Sequence, residues 1–161
     1  MVTQSRMGVL FVCLGNICRS PTAHGVFETL VAAQGHDGWL TVDSCGTGDW
    51  HVGEQPDQRA MTEAGKRGVA LSHLRARQVR ENDFFEFDYI LAMDRANLRH
   101  LESIKPSSFQ GHLGLFLDYA PEPGIAEVPD PYYGGEEGFT QVLDLIEDAS
   151  QGLLQALIDA R

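Results

Sequence analysis

The segment Cys13-Leu-Gly-Asn-Ile-Cys-Arg-Ser20 sets a thiol and a guanidinium at the two ends of a short loop, between an apolar run and the start of a helix. Successive backbone N–H groups of such a loop can wrap an anion, the positive end of the helix adds to the field, and Arg19 can grip two oxygens in a planar fork. The same field would lower the Cys13 pKa from about 8.5 toward the ~3.5–7.5 range of activated thiols. Gly15 and Asn16 tolerate the positive φ that a tightly wound anion nest requires, and Pro21 suits a first helical turn, where its missing N–H costs nothing. The alternative, a small buried Cys13 and a solvated Arg19, leaves the joint placement of Gly15, Asn16, Arg19, Ser20 and Pro21 unexplained.

Covalent cleavage of a phosphomonoester needs a nucleophile, a clamp for the equatorial oxygens and a proton donor for the leaving oxygen. Cys13 is the candidate nucleophile. Arg19 and the peptide groups of Leu14, Gly15, Asn16, Ile17, Cys18 and Arg19, with Ser20 beside them, are the candidate phosphate-binding set. In Val128-Pro-Asp-Pro-Tyr-Tyr133 the two prolines stiffen the chain around Asp130, which could hold its carboxyl over a leaving group. Taken alone, that stretch reads first as an ordinary turn. Asp94 is the candidate N-cap of a helix, with orientation of Arg19 as a second role.

These residues must be positioned by alternating strands and helices. Met7–Val12 is a nearly continuous apolar run, as in a strand buried on both faces, and Thr22–Gln34 has helical spacing at Val26, Phe27, Leu30 and Val31. Further strands are expected over Trp39–Ser44, Phe87–Met93 and Leu113–Leu117, and helices over Gln55–Arg67, Asp94–Ser103 and Gly138–Ala160. Such alternation builds an α/β sheet with helices on both faces, and ligands then bind beyond the carboxyl ends of the strands. Cys13, Ser44, Asp94 and Asp130 all fall at that rim. The stretch Tyr119–Gly135, with four prolines, is expected to be a long irregular loop of the kind that carries function.

The segment from Val9 to Ala23 resembles the signature of the low-molecular-weight protein tyrosine phosphatases. Ser44-Cys-Gly-Thr, Gly53–Ala60, Ser72-His-Leu-Arg-Ala-Arg-Gln, Met93-Asp-Arg-Ala-Asn and Val128–Gly134 resemble further landmarks of that family, in its order. The resemblance implies one domain over residues 1–161, a three-layer Rossmann-like or flavodoxin-like fold with a four-stranded parallel sheet in the order 2-1-3-4, and hydrolysis of phosphotyrosine through a phosphocysteine. It implies that Asp130 protonates the leaving phenolate and then serves as base for water. Asn16, Ser20, Ser44 and His73 would hydrogen-bond to one another and hold the loop. Trp50, Tyr132 and Tyr133 would form an aromatic rim for the substrate ring. Ile17 supplies an apolar wall that favours an aryl phosphate over phosphoarginine. Cys18 is either a loop-filling residue or the partner of a reversible disulfide that protects Cys13.

Composition narrows the rivals. At 161 residues the chain suits one domain, burying roughly 70% of its unfolded surface. No apolar run reaches the ~18 residues of a membrane span, and Met1–Arg6 lacks a signal-peptide core, so an intracellular, cytoplasmic protein is expected. Three cysteines, Cys13, Cys18 and Cys45, fit neither a secreted disulfide framework nor the spacing of a zinc site, so no metal or other cofactor is implied. A net charge of −11 disfavours nucleic acid and anionic membranes as partners. The expected partner is a phosphotyrosine protein or a small aryl phosphate, and nothing demands more than a monomer. An arsenate reductase of the same fold would need thiols downstream, and none follows Cys45. A noncatalytic phosphate-binding module would require neither Cys13 nor Asp130.

Overall fold

The apolar run near the N-terminus forms β1 (Met7–Cys13), whose residues from Gly8 onward are all buried. The computed structural model describes residues 6–121, 124–132 and 135–161. Within them, β1 is followed by α1 (Arg19–Ala33), β2 (Leu40–Gly46), α2 (Gln58–Lys66), the one-turn α3 (Asp83–Glu86), β3 (Tyr89–Ala92), α4 (Arg95–Ile104), β4 (His112–Leu115) and α5 (Glu136–Ala160). All strand pairs are parallel and the order is β2-β1-β3-β4. The expected single α/β domain with strand order 2-1-3-4 is therefore found.

Alternation along β1 divides the interior in two. Val9 and Phe11 join a core with Phe27 and Val31 of α1 and Val142, Leu143, Ile146 and Leu153 of α5. Leu10 and Val12 face the other way, onto Phe84 of α3 and Leu101 of α4. Side chains of period two in a strand buried on both faces require this three-layer arrangement. Phe11 sits at the centre of its layer, edge-on to Phe27 at 5.7 Å and to Phe116 at 4.9 Å between ring centroids.

Several boundaries differ from expectation for local reasons. α2 begins at Gln58 rather than Gln55, because Asp57 is its N-cap and accepts the Arg59 N–H at 2.8 Å. α3 is absent from the sequence reading. It starts β3 two residues late, since the Phe87 N–H is spent on Asp83 O. β4 ends at Leu115, and Phe116–Tyr119 wind into a 3-10 turn. β2 runs on through Cys45 and Gly46, which brings its end level with Cys13.

Candidate active site

Past the end of β1 the chain turns back sharply, and β2 holds the turn. Thr47 N–H donates to Cys13 O and Gly48 N–H to Leu14 O, both at 2.9 Å. The two backbones approach so closely that a β-carbon on Gly46 would lie 2.7 Å from Leu14 O and 3.1 Å from Asn16 N. Asn16 takes φ +56°, the only positive φ outside glycine among the described residues. Pro21 falls within the first turn of α1 as expected, although the helix already begins at Arg19.

Behind the loop lies a buried polar network. The Cys13 sulfur is 3.0 Å from Ser20 Oγ and accepts the Asn16 N–H at 3.3 Å. Asn16 Nδ2 donates to Ser20 Oγ at 2.8 Å, and Ser20 Oγ also donates to Cys45 O at 3.2 Å. Of the residues expected to hold the loop, the structure brings Asn16 and Ser20 together and leaves His73 apart from them. Leu71 is anchored in the core and the Leu74 N–H turns back onto Leu71 O, so His73 is carried outward and is exposed. Ser44 pairs instead with buried His24, at 2.9 Å from Nδ1, and His24 Nε2 lies 3.4 Å from Glu28. The His24 hydrogen bond, acting against burial, holds the Glu28 carboxyl below its ordinary range. The spacing of His24 and Glu28 on one helix face was the signal available for this pair.

Arg19 is almost fully buried and held from two sides. Its Nη1 donates to Asp94 Oδ2 at 2.6 Å and to Val128 O at 3.0 Å, and its Nη2 lies 3.7 Å from Asp130 Oδ2. Burial works against its charge, but Cys13 and Asp94 outweigh it and raise the pKa, so the guanidinium stays charged. The Asp130 segment is brought in by the Val128 N–H on Met93 O at 2.8 Å. Asp130 Oδ1 accepts the Tyr132 N–H at 3.0 Å, while its side chain remains 40% exposed toward the opening.

Together these groups line a cleft of about 310 Å³, formed by Cys13, Leu14, Gly15, Ile17, Cys18, Arg19, Trp50, His51, Asp130 and Tyr132. Asn16 and Ser20 sit behind this wall, and Asp94 reaches it only through Arg19. Trp50 lies over the Gly48 backbone at the lip and is largely exposed. Tyr132 is fixed by Arg59, whose Nη2 donates to Tyr132 O at 2.9 Å and whose guanidinium stacks 5.6 Å from the ring. Tyr133 lies outside the described residues. His51, which the sequence reading missed, packs against Gly15 and pairs with Glu54 at 2.9 Å; its position after Trp50 was the available signal. Burial, then the charge of Asp57, pushes the Cys18 thiol far up, and burial does the same to Cys45. No cluster of metal-ligating side chains occurs among the described residues, and none of their helices is long and apolar enough to cross a membrane.

Residues 8–161 match the low molecular weight phosphotyrosine protein phosphatase family. The chain belongs to this family. A low molecular weight phosphotyrosine protein phosphatase of Schizosaccharomyces pombe is 47% identical over 151 residues, covering 92% of this chain and 96% of the relative. The crystal structure of a protein tyrosine phosphatase from Entamoeba histolytica with Hepes in its active site aligns with TM-score 0.92 and 39% identity, over 96% of this chain and 98% of the other. A Drosophila arginine phosphatase aligns with TM-score 0.89 and 32% identity, over 94% and 98%. Family membership places the chain among cysteine-dependent phosphatases acting on phosphate esters.

Proposed function

We propose that this chain hydrolyses phosphotyrosine and other aryl phosphomonoesters through a phosphocysteine intermediate, as a monomer in the cytoplasm. The observation that carries this reading is the convergence of Cys13, Arg19 and Asp130 on one cleft, with Arg19 and Asp130 only 3.7 Å apart. The Cys13 thiolate attacks phosphorus and forms the S–P bond. The bond to the aryl oxygen breaks, and Asp130 gives that oxygen its proton. Asp130 then takes a proton from water as the water attacks phosphorus, the S–P bond breaks, and inorganic phosphate leaves. Arg19 and the loop amides hold the equatorial oxygens, and the Ser20 hydroxyl stabilises the departing thiolate.

The aromatic and apolar lining from Trp50, Tyr132 and Ile17 supports an aryl substrate. A ring can reach the floor of a cleft where a short phosphoserine cannot. The absence of any cysteine after Cys45 counts against arsenate reduction. Hydrolysis of para-nitrophenyl phosphate by wild type, Cys13→Ser and Asp130→Asn, with arsenate reduction run in parallel, tests the proposal. Wild type is expected to turn over, Cys13→Ser to be inactive, and Asp130→Asn to lose about 10²–10⁴-fold, the usual contribution of a general acid. An active Cys13→Ser overturns the mechanism, and phosphate binding without turnover in wild type makes the chain a receptor.

A further inference from the structure

We infer that Arg77, clamped between Asp43 and Asp83, is a positioning residue for the Cys13 loop: it fixes the backbone N–H that orients the Asn16 side chain, and so the Ser20 hydroxyl beside the Cys13 sulfur. The inference rests on Cys13 being the nucleophile.

The guanidinium of Arg77 donates from Nη1 and Nη2 to the two oxygens of Asp83, each at 3.0 Å. It also donates from Nε and Nη2 to Asp43 Oδ2, at 3.2 and 3.0 Å. Asp83, on the first turn of α3, is fully buried and further accepts the Arg80 N–H at 2.8 Å. One side chain thus ties α3 to β2. Such a pair, with its carboxylate fully buried, adds little net stability but is costly to break, which makes it better suited to fixing geometry than to holding the fold.

The geometry it fixes adjoins the loop. Gly46 N–H donates to Arg77 O and Val79 N–H to Gly46 O, both at 2.8 Å, so residues 77–79 lie along the end of β2. The Arg77 N–H then donates to Asn16 Oδ1 at 3.0 Å. That bond decides which way the Asn16 amide faces. With Oδ1 engaged by an N–H, Nδ2 must point to Ser20 Oγ, where it donates at 2.8 Å. Ser20 Oγ, already accepting, has one hydrogen to give and two acceptors within reach of it: Cys45 O at 3.2 Å, and the Cys13 sulfur at 3.0 Å, to which it turns when that sulfur is a thiolate. Every donor in the sequence Arg77, Asn16, Ser20 can therefore point toward the sulfur, the polarity that suits a thiolate, which only accepts.

Arg77→Lys keeps the charge and loses the fork. Its pH dependence of Cys13 alkylation by iodoacetamide, and its kcat and KM for para-nitrophenyl phosphate, should be compared with Leu157→Ala. Leu157 is a buried residue near the C-terminal end of α5, where Arg161 stacks over Trp39 ahead of β2, at the amino end of the strands and opposite the loop. In Arg77→Lys, half-maximal alkylation is expected at higher pH and kcat about tenfold lower with a smaller change in KM, the size expected for loss of one charged hydrogen bond. Leu157→Ala should melt lower and leave the alkylation profile in place. Asp43→Asn, which retains the Asp83 pair on a partly exposed site, should shift the profile the same way by less, and gives the answer if Arg77→Lys does not fold. Wild-type alkylation profiles in both Arg77→Lys and Asp43→Asn overturn the inference, even if the melting temperature falls. Activity in Cys13→Ser would instead overturn the phosphatase mechanism, so the two failures are distinct.

Discussion

Asp94 divides its two oxygens between two tasks. Oδ1 accepts the Asn97 N–H at 2.8 Å and caps α4, while Oδ2 accepts from Arg19 at 2.6 Å. The sequence reading ranked the cap first and the Arg19 contact second; the geometry makes them simultaneous. Substitution can separate them. Asn is as good an N-cap as Asp, so Asp94→Asn should keep the cap while presenting the buried Arg19 with a neutral amide, and the stability it loses is that of the ion pair alone. Its kcat/KM for para-nitrophenyl phosphate is expected to fall at least about tenfold, since a charge-assisted bond is lost. Asp94→Ala should lose the same activity and about 0.5–2 kcal/mol of stability in addition. Unchanged turnover in Asp94→Asn would reduce this residue to a cap. At the same scale, the network residue that the sequence reading misplaced, His73, shows why single residues resist such reading. Whether a histidine faces the loop or the solvent depends on how Leu71 is anchored, and no neighbouring residue type records that.

Elements carry the same double duty. Asp57 caps α2 through the Arg59 N–H and chelates the Arg59 side chain at 3.0 Å, and its own N–H donates to Ile17 O at 2.7 Å, which ties the helix to the loop. Burial alone would push the Asp57 carboxyl up, but the hydrogen bonds and charge of Arg59 outweigh it and hold the carboxyl below its ordinary range. A carboxyl with a depressed folded pKa contributes stability that is present above the unfolded value of about 3.9 and is lost as pH falls through the folded value. Wild type is therefore expected to be more stable than Asp57→Asn at neutral pH, with the difference shrinking below about pH 4. Denaturant melts at pH 7, 5, 4 and 3 check this, and a difference that stays constant across them would remove Asp57 from the acid response. The starts of α4 and of this capped helix differ in legibility. Asp94 precedes a periodic run and was readable, whereas Asp57 follows a proline in a polar stretch where several residues could begin a helix.

Across the whole molecule, a net charge of −11 surrounds a cleft whose lining includes the buried Arg19. Arg19 attracts phosphate at short range, while the global field repels acidic partners over the ~10 Å reached at moderate salt. For a phosphotyrosine peptide with acidic flanks, kcat/KM should rise as salt increases from about 0.01 to 0.15 M, and a peptide with neutral flanks should respond less. Steady-state assays at fixed pH check it, and a fall with salt for the acidic peptide would mean that a local positive field governs approach.

The order of strands and helices, the Cys13–Arg19 loop and the placement of Asp94 and Asp130 at one rim were determined by sequence, because apolar periodicity, glycine, proline and capping residues act over a few neighbours. Family resemblance added the role proposed for Asp130, which local sequence left as a turn. The tertiary structure alone decided which polar groups meet behind the loop: Ser44 with His24, Arg77 with Asp43 and Asp83, and Asn16 with the Arg77 backbone. Except for Arg77 with Asp83, six positions apart, these contacts join residues from about 20 to 60 positions apart, and their geometry depends on the twist of a parallel sheet and on which side chain a packed neighbour turns inward. No local pattern encodes that, because burying a polar group constrains only that it find a partner, not which one.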